Sequence, residues 1–394
     1  MTRLANPDVG RLAIHSALNQ LAWGFSGIFF SVFLLRAGVP PAVVFLAIAG
    51  TLVLRFALRP LVLFVAPITG PRRMLILGTL LVALKYPVLA LVRGPGVELL
   101  LFCVIAAAGE IFYWTCYHAF FAALGDSERR GSQLGNRQAL CAIAGMIGPA
   151  AGGAMLVTFG PGIAFGMAAA IEVVATLPLF KVTEPLFLDK ASPGAYDSAK
   201  TGIRLFFTDG WITASSAFAW DMIMFRALGG RYDAFGGLLA AAALVGALSG
   251  VLIGRWMDAG QARRIVWVNA AVAAGILVLK SLCGGHPIPV IAATTVAALL
   301  SGLYIPSFMT AVYNDAKASP CPLRFHFAAE GAWDAGGSLA CILAAAACMA
   351  HLPLEAIILM ALPGVALQVR LLSRRYRAAA SAPGVPNSSA RHYV

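Results

Sequence analysis

Long apolar runs separated by short polar connections repeat along almost the whole chain. Most runs reach the length of about 20 residues that an α-helix needs to cross the hydrocarbon core of a bilayer. A transmembrane β-barrel would need segments of about 10 residues with strict alternation, which the unbroken runs at 240–253 and 339–350 do not show. The pattern predicts twelve transmembrane helices, at residues 12–36, 40–66, 72–92, 97–124, 135–158, 161–181, 209–229, 234–256, 263–284, 288–312, 325–350 and 353–373.

A polar segment divides this pattern into two halves. Residues 182–208 carry charged side chains and prolines, with six predicted helices on either side. Equal numbers of helices indicate an internal duplication. The sequence thus predicts an all-α integral membrane protein with two pseudo-symmetric six-helix bundles, at 1–181 and 209–373, joined by a linker at 182–208 and followed by a tail at 374–394.

Composition supports a membrane location. Of the 394 residues, 60% are apolar and 12% are charged, whereas about 25% are charged in a typical soluble domain. The formal net charge is +12, and the basic residues concentrate in alternate connections. By the positive-inside rule, this asymmetry places both termini and the linker in the cytoplasm, for a multi-pass protein of the cell (inner) membrane. The positive charge therefore requires no nucleic-acid partner.

The sequence contains no pattern typical of catalysis or of a bound cofactor. Its seven cysteines have no CxxC spacing and lie mostly inside predicted helices, which argues against a disulfide framework or a zinc site. Ser/His/Asp, HExxH and P-loop patterns are absent, so neither an enzyme nor an ATP-driven pump is expected. We expect no cofactor or metal, a small-molecule substrate and membrane lipids as partners, and a monomer.

Two connections in equivalent positions of the halves contain glycine and paired arginines. The second follows the pattern GxxxDxGxxRR, with Gly254, Asp258, Gly260, Arg263 and Arg264. Together with the arrangement of helices, it resembles the loop signature of the major facilitator superfamily, and this implies the fold of that superfamily over almost the whole chain. The first copy, at 69–73, lacks the acidic residue. A basic turn that contains glycine by chance is the alternative.

The fifth predicted helix carries a GPxxGG pattern, formed by Gly148, Pro149, Gly152 and Gly153. The proline predicts a kink among small side chains. The pattern resembles the antiporter motif of the same superfamily, which is found mainly in exporters that exchange substrate for protons. The alternative is a face of small residues that lets neighbouring helices approach closely.

Ionisable residues inside predicted helices carry the strongest functional signal, because inserting each costs about 2.5 to 3.5 kcal/mol. Glu110 shares a helix face with aromatic side chains, and a carboxylate beside aromatic rings can bind a proton or an organic cation. The alternative is an acid buried against Lys85 or a serine of another helix, with the aromatic rings only packing. The residues expected to couple protons are Glu110, Asp221 and Asp334. The residues expected to contact substrate are Asn19, Gln20, Trp23, Tyr113, Trp114, Tyr117, Trp220 and Tyr304.

Other intramembrane polar residues have structural interpretations. We expect Glu172 and Lys85 to pair within the first bundle, since a lone charge facing lipid is the least favourable alternative. Lys280 lies near an outer helix end and can extend its ammonium to water. His118 and His326 are expected to be satisfied by hydrogen bonds, with proton relay as the alternative.

Four charges on two predicted helices indicate a gate. Arg55 and Arg59 lie on the second helix and Glu330 and Asp334 on the eleventh, each pair four residues apart and therefore on one helix face. The resemblance implies that these two helices pack together. Counted from the helix ends, Arg59 and Glu330 lie at one depth, and Arg55 and Asp334 lie one turn deeper. We expect these two pairs to close the cytoplasmic side, with pairing of Glu330 and His326 as the alternative.

These features lead to one functional hypothesis and two alternatives. We expect a secondary transporter that exports a small organic molecule in exchange for protons by alternating access around a midplane site. Proton symport or facilitated uptake of a small metabolite is the first alternative. A non-transporting sensor or assembly factor that retains the fold is the second.

Overall fold

The structure is a computed structural model that describes residues 6–126, 129–185, 192–257, 262–300 and 304–380. Side chains are described throughout these ranges except at 250–265, 301–307, 310 and 378–380. Within this part of the chain every regular element is helical. The all-α architecture expected from the hydrophobic pattern is therefore confirmed.

The α-helices follow one another with short connections. They are α1 (Pro7–Phe25), α2 (Phe30–Arg36), α3 (Pro41–Leu58), α4 (Pro60–Thr69), α5 (Pro71–Leu91), α6 (Val97–Leu124), α7 (Arg130–Thr158), α8 (Gly160–Ala175), α9 (Ala195–Ser198), α10 (Lys200–Ala227), α11 (Tyr232–Met257), α12 (Ala262–Ser281), α13 (Pro287–Leu300), α14 (Tyr304–Ala318), α15 (Pro322–Met349), α16 (Leu354–Ile358) and α17 (Leu362–Ala380). Short 3₁₀ helices lie at Gly27–Phe29, Leu177–Lys181 and Leu359–Ala361.

Proline and polar caps mark where several helices begin. α1, α3, α4 and α5 each begin at a proline, whose missing N–H costs nothing in the first turn. Asn6 caps α1, because its side-chain oxygen accepts hydrogen bonds from the backbone N–H groups of Asp8 and Val9. These local signals explain why the helix boundaries lie close to those predicted.

Nine helical segments of the described chain are long and apolar enough to cross a membrane. Three further apolar helices, Pro60–Thr69, Val266–Ser281 and Pro287–Leu300, are shorter. The nine do not include the 28-residue helix α10. A multi-pass membrane protein is confirmed, whereas the number of twelve crossings stays a prediction.

Several helix bounds differ from the predicted ones. The second predicted span divides at Arg59 into α3 and α4, because Pro60 has no N–H to donate to the carbonyl of Phe56. α10 begins at Lys200, so the last part of the predicted linker is helical, and α17 continues to Ala380. Charged helix ends of this kind extend beyond the apolar stretch that a hydropathy pattern detects.

The helices pack in two groups that meet along a long interface. α1, α5, α6, α7 and α8 pack with one another in the first half, and α10, α12, α15, α16 and α17 do so in the second half. Between the halves, α3 packs against α15 and α7 packs against α11, with further contacts of α6 to α14 and α15. The expected packing of the second span against the eleventh is thus confirmed.

The two halves touch at both ends of this interface. One end, which we call the linker face, is where the linker begins and where Arg72 Nη1 donates to the Val182 carbonyl at 3.3 Å. The halves touch at this end because Arg130 Nε of the first half donates to Asn314 Oδ1 of the second half at 3.4 Å. At the opposite face, Arg36 Nη1 donates to the Gly230 carbonyl at 2.6 Å. Functional residues between these two sets of contacts lie inside the molecule.

Candidate functional site

A cavity of about 630 Å³ lies between the two halves. Its wall is mostly apolar and aromatic, with contributions from α1, α3, α5, α6, α10, α14 and α15. Its charged lining residues are Arg55, Lys85, Glu110, Asp209, Asp221 and Glu330. A polar region within an apolar wall is the usual composition of a site for a small organic molecule.

Arg55 joins the cavity wall to the interface between the halves. Its Nη1 atom donates to Glu110 Oε2 at 2.8 Å within the first half. Across the interface, its Nε atom lies 3.0 Å from Asp334 Oδ1, and its Nη2 atom lies 3.6 Å from Glu330 Oε2. Arg55 and Asp334 therefore pair as expected, although the guanidinium is shared among three carboxylates.

Arg59 pairs with a different residue from the expected one. Its Nη2 atom contacts Asp334 Oδ2, and its Nη1 atom donates to Thr115 Oγ1 at 2.8 Å. The expected direct pair of Arg59 with Glu330 is wrong in this arrangement. The depth count treated the span as one continuous helix, whereas the chain is interrupted at Arg59, before Pro60.

Glu330 contacts a histidine, but not the one considered as its alternative partner. Its Oε1 atom lies 3.3 Å from His118 Nε2. The ring nitrogens of His326 form no hydrogen bond among the described residues, so the expectation that His326 is satisfied in this way is wrong. Its ring instead packs on that of His118, with centroids 5.4 Å apart.

Glu110 is held by two cations. Besides Arg55, it accepts a hydrogen bond at 2.6 Å from Lys85 Nζ. This is the alternative considered for Glu110. The expected pair of Lys85 with Glu172 is wrong, because Lys85 reaches the carboxylate on α6 instead. Glu172 instead accepts a hydrogen bond at 2.7 Å from Asn19 Nδ2.

The cluster balances its charges. Three cations (Arg55, Arg59 and Lys85) contact three carboxylates (Glu110, Glu330 and Asp334). Arg55, Arg59 and Asp334 are at most 4% exposed. Burying such charges is tolerable only when each has partners, because isolated ions lose several kcal/mol of hydration. The cluster thus ties the two halves together through mutual neutralisation.

Asp221 lies apart from this cluster, on the α10 wall of the cavity. It forms no salt bridge or hydrogen bond with a described side chain, and its principal electrostatic partner is Lys280. The Lys280 ammonium lies 4.8 Å from the ring centroid of Trp220. Lys280 is half-buried beside this ring. Asp221 is therefore a cavity carboxylate in direct contact with no cation among the described side chains.

Five of the expected substrate contacts line the cavity: Asn19, Gln20, Trp23, Tyr113 and Trp114. Tyr117 and Trp220 are buried, but neither is among the described lining residues. The Tyr117 ring instead stacks on Tyr113, with centroids 5.8 Å apart. The side chain of Tyr304 lies outside the described part of the chain. Of the expected coupling residues, Glu110 and Asp221 line the cavity, and Asp334 lies behind it.

Sequence reasoning missed cavity residues on α10 and α15. Asp209, Thr213 and Ala217 line the cavity together with Asp221, and the spacing of four residues would have placed all of them on one helix face. Trp333 also lines the cavity and donates through Nε1 to Asp209 Oδ2 at 3.0 Å. The four-residue spacing was visible in the sequence of α10. Because the predicted helix began at residue 209, Asp209 was placed at its end and not inside the membrane.

The glycines of the GPxxGG pattern let α7 approach two helices. A Cβ added at Gly152 would lie 2.7 Å from Phe25 Cα, and one at Gly148 would lie 2.9 Å from Gly24 Cα. A Cβ at Gly153 would lie 2.5 Å from the Tyr232 carbonyl oxygen of the other half. The small residues therefore form a close-packing face, as the structural alternative predicted.

The loop motif of the second half lies largely outside the described residues. Asp258 and Gly260 are not described, and the side chains of Arg263 and Arg264 are not described either, whereas the backbone of Gly254 belongs to α11.

In the first half, an acid from the linker takes the place of the absent one. Gly70 adopts φ = 79°, and the Arg72 N–H at the start of α5 donates to Glu184 Oε1 at 3.1 Å. A carboxylate at a helix N-terminus is favourable.

The sequence matches the family model of the Major Facilitator Superfamily over residues 12–345. No curated protein matches it in sequence.

Solved transporters have a similar fold. The human organic anion transporter MFSD10 (TETRAN) is 15% identical, with a TM-score of 0.64, covering 93% of this chain and 99% of that one. The E. coli fucose:proton symporter FucP is 12% identical, with a TM-score of 0.61, covering 93% and 98%. FucP in the outward conformation is 13% identical, with a TM-score of 0.65 and the same coverage. At these identities the likeness shows the fold alone.

Proposed function

Because the chain belongs to the Major Facilitator Superfamily, we propose that it is a secondary transporter that exports a small organic molecule in exchange for protons. The observation that carries this proposal is the cavity of about 630 Å³ between the two halves, with a balanced ionic cluster on one wall and Asp221 on another. Membership in this family points to a transporter and not to an enzyme. Alternating access then requires the contacts at the two faces to open in turn.

Asp221 is the best of the three expected coupling residues. Glu110 and Asp334 are each held by two cations, so protonating either would leave buried positive charges without a counterion. Asp221 has no direct ion pair among the described side chains. It can therefore gain or lose a proton without breaking the ionic cluster.

Aromatic and amide side chains favour an organic substrate with both apolar and polar groups. Trp23, Tyr113 and Trp114 offer ring faces, and Asn19 and Gln20 offer amides. Two solved proteins of similar fold are named as transporters of organic solutes, an organic anion in one case and fucose in the other. These names support an organic molecule of modest size as the substrate.

Export is supported by the resemblance of Gly148, Pro149, Gly152 and Gly153 to the antiporter motif. Uptake by proton symport is the second candidate, favoured by the likeness to the fucose:proton symporter. A sensor that does not transport would bind a ligand without moving it. A single flux experiment distinguishes these three functions.

The experiment begins with a thermal-shift screen of the purified protein against organic compounds, since a ligand that binds the folded state raises its apparent stability. The stabilising compound is then loaded, in radiolabelled form, into proteoliposomes with an imposed pH gradient. Antiport predicts that the compound leaves the compartment that the protons enter. Symport predicts that the compound moves in the same direction as the protons. Binding without flux in either direction would overturn the proposal.

Asp221→Asn should abolish pH-driven flux and leave compound exchange largely intact, because exchange does not require release of the proton. Glu98→Gln, at the exposed start of α6, is the matched control and should behave like the parent. Full pH-driven flux in Asp221→Asn would show that the proton is coupled elsewhere.

Sidedness is a separate part of the proposal. We place the linker face in the cytoplasm, in the inner membrane, from the distribution of basic residues. A cysteine at the exposed Ser198 should react with an impermeant thiol reagent in inverted vesicles and not in intact cells. Labelling in intact cells would reverse the orientation.

A further inference from the structure

His118 lies where the cavity wall meets the interface between the halves. It belongs to α6 in the first half, and both of its ring nitrogens contact residues of the second half. Nε2 lies 3.3 Å from Glu330 Oε1 on α15, and Nδ1 lies 2.6 Å from the Tyr313 hydroxyl on α14. The imidazole therefore bridges the two halves.

The chemistry of this bridge requires a proton. An ionised carboxylate only accepts hydrogen bonds, so the contact with Glu330 needs a proton either on His118 Nε2 or on the carboxyl group. The Tyr313 hydroxyl can donate to Nδ1 or accept from it. The same three side chains thus accommodate a neutral or a doubly protonated imidazole without moving.

The groups around His118 leave Glu330 as its only direct carboxylate partner among the described residues. α7 presents the cation Arg137, whose guanidinium lies over the Tyr117 ring at 5.5 Å. α15 presents the His326 ring, and α10 presents Phe206, with ring centroids 5.4 and 6.1 Å from that of His118. A proton on His118 therefore depends on Glu330 for compensation.

Glu330 also faces charges other than His118. α3 places Arg55 Nη2 3.6 Å from it, and Arg59 of the same segment attracts it at longer range. Asp334 on its own helix and Asp209 on α10 repel it. Since Arg59 bonds Asp334 and Thr115 instead, Glu330 retains one oxygen for His118.

We propose that His118 and Glu330 form a proton-binding site that is complete only while the halves are closed at the linker face. This inference rests on the proposed transport function, and it adds a site that couples the proton to the gate. When the halves separate there, His118 loses both Glu330 and Tyr313. The imidazolium then gives one proton to water on that side, and Glu330 stays ionised because the same water hydrates its carboxylate.

Proton binding and closure must favour each other if this site exists, because binding linkage is reciprocal. For one coupled proton, the ratio of closed to open molecules changes by up to about tenfold per pH unit. The proton needed for this step comes from the cavity, which His118 and Glu330 both line. Closure at the linker face should therefore increase as pH falls.

The test measures distances between spin labels across the linker face. Cysteines replace the exposed residues Ser132 on α7 and Ala318 on α14, and pulsed electron resonance gives the distance distribution in nanodiscs between pH 5 and pH 8. The short-distance population should grow as pH falls. Single-label proteins show the background from the native cysteines, of which only Cys348 is not buried.

His118→Gln should remove the pH dependence of this population, since glutamine keeps hydrogen-bonding groups but does not titrate in this range. His326→Asn is the matched control, because the described contacts of that ring include no hydrogen bond, and it should retain the parent response. An unchanged pH response in His118→Gln would overturn the inference. Native-like circular dichroism and elution are checked first, and His118→Asn is the second variant if glutamine impairs folding.

This measurement needs no substrate, so its failure is distinguishable from failure of the proposed function. If the protein shows no flux, but the distance distribution depends on pH and His118→Gln abolishes that dependence, the proton-binding site is retained and the transport function is rejected. If proton-driven flux is normal, but the pH response of the distance distribution is the same in His118→Gln as in the parent, the transport function is retained and the proton-binding site is rejected.

Discussion

The two halves are joined by two interfaces of opposite character. Where α3 packs against α15, Arg55 and Arg59 meet Glu330 and Asp334 with little exposure to solvent. Lys85 and Glu110 extend this cluster within the first half. Between α7 and α11, glycines bring backbones together, and Gly153 lies so close to Tyr232 that a Cβ would be 2.5 Å from its carbonyl oxygen. One interface depends on charge neutralisation and the other on close packing of backbone atoms.

This difference predicts different roles in a conformational change. Arg55 contacts three carboxylates on two helices, so losing one partner across the interface leaves it paired with Glu110 in its own half. The glycine face, by which we mean the surface of α7 around Gly153 that packs against α11, has its backbone in close contact with the Tyr232 carbonyl. Any separation of the two helices there loses dispersion contacts. We therefore expect the ionic cluster to rearrange during transport and the glycine face to act as the tighter contact.

The largest effect is expected for Asp334→Asn in the ionic cluster. Asp334 is fully buried between Arg55 and Arg59, and breaking a buried ion pair by removing one partner typically costs about 3 to 5 kcal/mol. The free energy of unfolding, measured by denaturation in detergent, should fall by this amount, and flux should be impaired. Asp197→Asn, on the exposed surface, is the control and should leave the free energy of unfolding close to that of the parent.

A double-mutant cycle can sharpen the pairing within the cluster. Coupling between Arg59 and Asp334 should exceed coupling between Arg59 and Glu330, since only the first pair is in direct contact. The charge exchange Arg59→Glu with Glu330→Arg should consequently fail to restore transport. Recovery by this exchange would mean that Arg59 and Glu330 pair in another functional state.

A smaller effect is expected for Gly152→Ala, one residue before Gly153 in α7, where the same run of glycines packs against α1 of its own half. The added Cβ would lie 2.7 Å from Phe25 Cα, so α1 and α7 must move apart, and overpacking of this kind costs about 1 to 3 kcal/mol. Gly145→Ala on the same helix is the control, because its Cβ would lie 3.9 Å from Ala243 Cβ. Equal thermal stabilities of the two variants would contradict close packing at Gly152.

The smallest effect is expected for Thr115→Val at the edge of the cluster. Thr115 accepts one hydrogen bond from Arg59 at 2.8 Å, and losing a hydrogen bond to a charged group costs about 1.5 to 3 kcal/mol at most. Because Arg59 keeps its contact with Asp334, we expect the free energy of unfolding, measured by denaturation in detergent, to fall by about 1.5 kcal/mol, the lower end of this range. Thr51→Val is the control, since its hydroxyl donates to the carbonyl of Ala47 in its own helix and bonds no charged group of the ionic cluster.

Much of the fold follows from the sequence because its signals are local. Apolar runs and N-terminal prolines predicted the helices, and the family resemblance predicted that α3 packs against α15. The site was predicted less completely. Asp209 was missed because α10 begins nine residues before the predicted span, and Lys85 was assigned to Glu172 because depth along a helix does not say which carboxylate is nearer.

The sequence by itself determined that Arg55 and Arg59 share one helix face and that Glu330 and Asp334 share another, because residues four apart in a helix lie one above the other. It also determined that these charges need partners, since unpaired ions are costly inside a membrane. Only the tertiary structure decided the pairs. The interruption before Pro60 and the side-by-side placement of α3, α6 and α15 bring Arg59 to Asp334 and leave Glu330 to Arg55 and His118. Such choices depend on helix offsets of a few ångströms, and no local pattern encodes them.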